Sequence, residues 1–140
     1  MIIICAVDKN FGVGKDGKIP WKNQKDLKHF KEYTLGKTLL VGRKTQLPPL
    51  KDRTVIVLER DSTTRSNLCH PSNYNHVLIG GPTVWKEALK CNYVTEIIMT
   101  FIDEEYECDT FFPKEYLKGF IQTESFNLDG KTKVVKFYKN

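Results

Sequence analysis

Four short segments carry residue types able to do chemistry. Gly12-Val13-Gly14-Lys15-Asp16-Gly17 follows an apolar run and has the G-x-G-x-x-G spacing of a dinucleotide-binding turn. That turn needs a helix beginning within the glycines, so that its N-terminus faces a pyrophosphate. Here Pro20 biases Ile19 away from helix, and the next helical pattern opens only near Asn23 to Asp26. The segment is therefore expected to be a flexible loop between a strand and a helix. Gly80-Gly81 is better placed, because it closes an apolar run and Pro82 follows at a first helical position. Exposed N–H groups and a positive dipole end there suit a phosphate, and a tight strand-to-helix turn explains the pair equally well. Gly42-Arg43-Lys44-Thr45 sets two cations and a hydroxyl after another apolar run, where open α/β sheets bind anionic ligands, with plain surface solvation as the alternative. Asp26 is the only acid among Lys18, Lys22, Lys25 and Lys28. A carboxylate in a first helical turn is favoured by the dipole alone, yet one standing after the apolar-aromatic Pro20-Trp21 loop could orient a polar heterocycle.

Apolar runs rich in Ile and Val at Ile2 to Val7, Thr38 to Val41, Thr54 to Leu58, His76 to Ile79 and Glu96 to Ile102 predict strands. The first four are continuous, as in strands buried on both faces. Phe120 to Phe126 and Lys133 to Tyr138 alternate more, and the turn-forming stretch Asn127 to Gly130 between them predicts an antiparallel hairpin at an edge. Asp26 to Tyr33 places Leu27, Phe30 and Tyr33 on one helical face; Pro82 to Lys90 carries Val84, Trp85, Ala88 and Leu89. Strand and helix thus alternate, which predicts an α/β fold. The expected architecture is one domain over residues 1–140, a central mostly parallel twisted sheet with an antiparallel C-terminal hairpin and flanking helices.

Composition narrows the class. With 140 residues, 40% hydrophobic and 28% charged, the chain is globular, and Met1 to Val7 is too short to span a bilayer and lacks a signal-peptide pattern. An intracellular, cytoplasmic protein with no membrane partner is expected. A net charge of +5 favours an anionic partner, but the basic residues are interleaved with acids and no aromatic stacking motif accompanies them, so no specific nucleic acid is expected. Cys5, Cys69, Cys91 and Cys108 lie far apart with no metal-ligand spacing; free thiols and no metal are expected.

Taken in order, Gly14-Lys15-Asp16-Gly17-Lys18-Ile19-Pro20-Trp21, Asp26-Leu27, Phe30, Thr34, Val41-Gly42-Arg43-Lys44-Thr45, Val77-Leu78-Ile79-Gly80-Gly81, Thr100 and Asp109-Thr110-Phe111-Phe112-Pro113 resemble dihydrofolate reductases, from Ile2 to the end of the chain. The resemblance implies reduction of 7,8-dihydrofolate to tetrahydrofolate by hydride transfer from NADPH, in support of one-carbon metabolism. It implies that Asp26 binds the pterin amino group and N3, that Trp21 holds a water nearby, and that the Thr100 hydroxyl supports the carboxylate. By the same resemblance Ile4, Cys5 and Ile79 face the pterin, Phe30 and Leu50 wall the aminobenzoyl group, and Arg53 clamps the glutamate carboxylate, a task suited to its bidentate fork. For NADPH it implies Ala6 at the carboxamide, Arg43, Lys44 and Thr45 at the phosphates, and Arg60 near the 2′-phosphate. Gly42, a cis Gly80-Gly81 pair, Thr83, Val84 and Trp85 complete the cofactor set, with Gly14 and Ile19 from a lid spanning Lys9 to Ile19.

This chain has features of its own. Trp85 stands where the family usually has Tyr, Glu59 where it commonly has Ser, and Pro48-Pro49 shortens a helix after Thr45. Arg60 to Asn75 is abbreviated as well. Two alternatives share the scaffold: a riboflavin-pathway type of reductase, and a catalytically silent nucleotide- or RNA-binding protein. Asp26 with Arg53 favours folate, and the retained Asp26, Trp21 and Thr100 favour an enzyme. A monomer is expected.

Overall fold

The computed structural model describes residues 1–43, 45, 47, 51–58 and 75–140. Lys44, Leu50, Glu59, Arg60, Pro48-Pro49 and most of the Arg60 to Asn75 loop lie outside the described residues. The elements run β1 (Ile2–Val7), β2 (Gly12–Gly14), α1 (Gln24–Thr34), β3 (Thr38–Gly42), β4 (Thr54–Leu58), β5 (Val77–Gly80), α2 (Pro82–Lys90), β6 (Glu96–Ile102), β7 (Thr110–Phe111), a 3-10 helix (Lys114–Gly119), β8 (Phe120–Asn127) and β9 (Thr132–Lys139). Seven strands form one sheet in the order β4-β3-β5-β1-β6-β9-β8. Its β4, β3, β5, β1 and β6 are parallel neighbours, and β9 and β8 add the antiparallel hairpin.

Parallel strands covered on both faces explain the apolar runs: Ile3, Leu39, Leu40, Val77, Leu78, Ile97 and Ile98 are fully buried. β4 departs from the continuous burial expected of the first four runs. It is an edge strand, and Val55 and Val57 stay exposed while Leu58 is buried. A run of β-branched residues does not say how many neighbours a strand has.

The register brings the carboxyl ends of β1, β3 and β5 together, with Ala6 opposite Thr100 of β6 and Val41 opposite Gly80. α1 begins at Gln24 because the Asn23 side chain caps it, accepting from the Asp26 N–H at 3.0 Å. Asn23 Nδ2 also donates to Thr132 Oγ1 of β9 at 2.8 Å, which fixes the helix start against the sheet.

The glycine segment is not wholly a loop: Gly12–Gly14 forms β2, paired antiparallel with β7. Cys5 and Cys108 are free, whereas Cys91, expected as a free thiol, is disulfide-bonded. Among the described residues no helix is long and apolar enough to cross a membrane.

Candidate active site

A cleft of about 1100 Å³ opens along the carboxyl ends of β1, β3 and β5, between α1, the glycine segment and the start of α2. At one end α1 presents Asp26. Burial raises its carboxyl pKa to about 6, and a hydrogen bond with Thr100 opposes the rise. Thr100 is itself buried on β6. Trp21 and Phe30 flank this end, with Ile4, Cys5 and Ile79 on the floor. Burial, and then the nearby Asp26 carboxylate, push the Cys5 thiol well above its usual range and keep it neutral. A half-buried carboxylate titrating near neutrality among aromatic and aliphatic walls can bind an amino-substituted heterocycle and track its protonation.

At the other end Gly42, Arg43, Thr45, Gly80, Gly81, Thr83, Val84 and Trp85 line the cleft. Gly81 precedes α2 with no side-chain cap, and no acid stands in the helix's first turn, so its N–H groups and positive end are open to an anion. The Gly80-Gly81 peptide is cis. Backbones approach closely here: a Cβ on Gly42 would lie 3.1 Å from Gly80 O and 3.2 Å from Val84 Cγ2. Gly42→Ala is accordingly expected to cost about 1–3 kcal/mol by overpacking and to weaken binding at this end while sparing the Asp26 end. Calorimetric titration with NADPH and with a pterin ligand separates the two. The Trp85 ring packs on Phe112 at 5.4 Å, and its buried Nε1 has no hydrogen-bond partner.

Val13, Gly14, Gly17, Lys18 and Ile19 wall the cleft from the glycine segment, together with Thr110 of β7. This wall is tied down by the Asp109 carboxylate, which accepts from Asp16 N at 3.0 Å and from the Thr110 hydroxyl at 2.8 Å. Those bonds hold the Asp109 carboxyl below the usual range.

Ala6 also lines the cleft, so the described residues expected at the site converge on it except Thr100 and Arg53. Thr100 acts from behind Asp26. Arg53 donates through Nε to Thr34 Oγ1 at 3.0 Å and through its Nη atoms to Lys31 O and Lys51 O, capping the carboxyl end of α1. Sequence reasoning missed Lys22, Asn23, Gln24, Leu27, Leu47, Pro82 and Thr110 on the walls; Asn23 had a readable signal as the residue before a helical pattern. Among the described residues no group of three His, Cys, Asp or Glu could hold a metal ion.

The family model described as dihydrofolate reductase matches residues 1–139. The dihydrofolate reductase of Schistosoma mansoni is 33% identical over 80% of this chain and 77% of its own length. That of Buchnera aphidicola is 32% identical over 86% and 83%. Against the longer bifunctional dihydrofolate reductase-thymidylate synthase of Glycine max the chain spans 27% of the relative. The solved structure of dihydrofolate reductase from Enterococcus faecalis, complexed with NADP(H) and RAB-propyl, superposes with a TM-score of 0.83 at 30% identity, covering 99% of this chain and 95% of that one. On fold, site and sequence together, the chain belongs to the dihydrofolate reductase family.

Proposed function

We propose that the chain reduces 7,8-dihydrofolate to 5,6,7,8-tetrahydrofolate with NADPH, and that Asp26 is the group that binds and polarises the pterin. The carrying observation is the half-buried Asp26 carboxyl, raised to about 6 and hydrogen-bonded to Thr100, at one end of a cleft whose other end holds the uncapped N-terminus of α2. NADPH fits that second end. Gly42 and Gly80 let the strand ends pack closely against Val84 and Trp85 at this end, and the buried Trp85 Nε1 is a donor without a partner in the protein.

NADPH, when bound, supplies a hydride. Arg43 and Thr45 would hold its phosphates with the open N-terminus of α2, whose first residues Thr83, Val84 and Trp85 line the same end of the cleft, and Ala6 would contact its carboxamide. Asp26 accepts from the pterin amino group and N3, fixing the ring in the cleft, and the Thr100 hydroxyl orients the carboxyl. Trp21 holds a water beside it. The reaction leaves N5 to take a proton, which solvent delivers to a ring that Asp26 has polarised. Phe30 walls the aminobenzoyl group; Arg53 stands outside the cleft lining with its guanidinium engaged by Thr34, Lys31 and Lys51, and would have to exchange those bonds to clamp the glutamate carboxylate.

In this reading the chain is a single domain that acts as a monomer in the cytoplasm. The test is loss of NADPH absorbance on addition of dihydrofolate to the purified protein. Turnover with NADPH ahead of NADH is expected; none with either cofactor overturns the reading.

A further inference from the structure

Asp8, at the end of β1, lies outside the cleft lining, yet only 1% of its surface is exposed. Its Oδ1 accepts from Asn10 N at 2.9 Å and Gly12 N at 2.8 Å. Those bonds are local and would serve any turn. Oδ2 does something else. It accepts from Tyr106 N at 3.0 Å, a residue 98 positions away, and from the Cys108 thiol at 3.6 Å. The Tyr106 ring in turn lies against Trp21, with centroids 5.3 Å apart and planes at 52°, while its hydroxyl donates to Glu104, which also pairs with Lys131. Trp21 is almost wholly buried and lines the cleft beside Asp26.

We propose that Asp8 is a positioning residue for the reaction: its two oxygens separately fix the start of the glycine wall and, through Tyr106, the ring that holds Trp21 in the cleft. The division of labour follows from chemistry. A carboxylate accepts on both sides, which is what four converging donors require, and its negative charge makes each bond charge-assisted. Asparagine keeps Oδ1 for Asn10 and Gly12 but turns an amino group toward the Tyr106 N–H and the thiol. Asp8→Asn therefore releases the Tyr106 side and leaves the local turn. Tyr106→Ala removes the buttress itself, and Tyr106→Phe keeps the ring and loses only the bond to Glu104.

The test begins without ligand, so it does not depend on the reductase reading. The chain has two tryptophans, so labelling with 5-fluorotryptophan gives two fluorine resonances, assigned with Trp85→Phe. The Trp21 resonance is expected to shift or broaden in Asp8→Asn and in Tyr106→Ala, to stay in Tyr106→Phe, and the Trp85 resonance to stay throughout. In the unmodified protein the Tyr106 amide should exchange slowly with solvent. Kinetics form the second arm and rest on the proposed reduction. kcat/KM for dihydrofolate should fall about tenfold or more in Asp8→Asn and Tyr106→Ala, since small misplacements of an orienting group cost up to about a hundredfold. The double variant should lose no more than the worse single. An unmoved Trp21 resonance in folded Asp8→Asn, fast exchange at Tyr106, or losses that multiply in the double variant overturns the proposal. Should Asp8→Asn not fold, Asp8→Ser, whose short hydroxyl serves only the local N–H groups, is measured in its place. Absence of turnover in the unmodified protein overturns the reductase reading alone, and the fluorine and exchange results still decide the role of Asp8.

Discussion

Asp26→Asn lowers kcat/KM for dihydrofolate by about 10²–10⁴, the range expected when a positioned acid-base group is removed. Asparagine has nearly the same shape and can still meet the Thr100 hydroxyl, so the loss reports charge and protonation rather than a cavity. The pH profile supplies an independent check. With the Asp26 pKa raised to about 6 by burial, the protonated fraction falls as pH rises through that value, and the reaction consumes a proton. Turnover is therefore expected to decline above an inflection near pH 6, and the inflection should vanish in Asp26→Asn. A variant that keeps both rate and inflection would remove Asp26 from the mechanism.

The same variant gains stability. The ordinary value for the group is 3.8, so between roughly pH 4 and 6 the folded chain keeps a proton that the unfolded chain has lost. Stability falls as pH rises through that window, and above it the buried carboxylate imposes a constant cost of about 2–3 kcal/mol. Asp26→Asn should thus melt several degrees higher at pH 7.5 and at nearly the same temperature at pH 4. Opposite signs for activity and stability mark a group kept for function rather than for the fold.

Much of this arrangement was legible in the sequence because it depends on local patterns. β1, β4, β6 and α2 begin and end where the apolar runs and Pro82 indicate. Asp26 was legible as a candidate from its place after the Pro20-Trp21 loop, but its link to Thr100 and the role of Trp21 came only through the resemblance, since 74 residues separate Asp26 from Thr100 and no spacing rule links a helix to a distant strand. β2 and β7 escaped notice because three and two residues show no periodicity; side-chain bonds from Asp8 and Asp109 to backbone N–H groups hold them. Asp8 itself was invisible because three of its four donors are backbone N–H groups, which every residue but proline carries, and the fourth is the thiol of the distant Cys108.

Gly12→Ala should be the most damaging substitution on the glycine wall, and its cause can be isolated. Backbone conformation is not the obstacle, because Gly12 is absent from the residues with positive φ. Space is: a Cβ there would lie 2.5 Å from both Cβ and Sγ of Cys108 and 3.0 Å from Asp8 Oδ1. The Cys108 Cβ is bonded to backbone, so the methyl group must drive β2 away from the 104–109 segment, taking with it the wall that holds Gly14 and Ile19 in the cleft. A destabilisation of about 3 kcal/mol, at the upper end for overpacking, is expected, with a fall of roughly 10 °C in Tm. Activity should fall at least tenfold through a weakened wall. Cys108→Gly deletes both clashing atoms. In the Gly12→Ala background it should restore a large part of the stability and activity, although alone it destabilises by losing the thiol bond to Asp8 and adding backbone freedom. A favourable coupling of about 1–3 kcal/mol between the two changes is the expected signature of direct contact. Additive losses would mean that the glycine is needed for motion of the wall rather than for its close approach to Cys108.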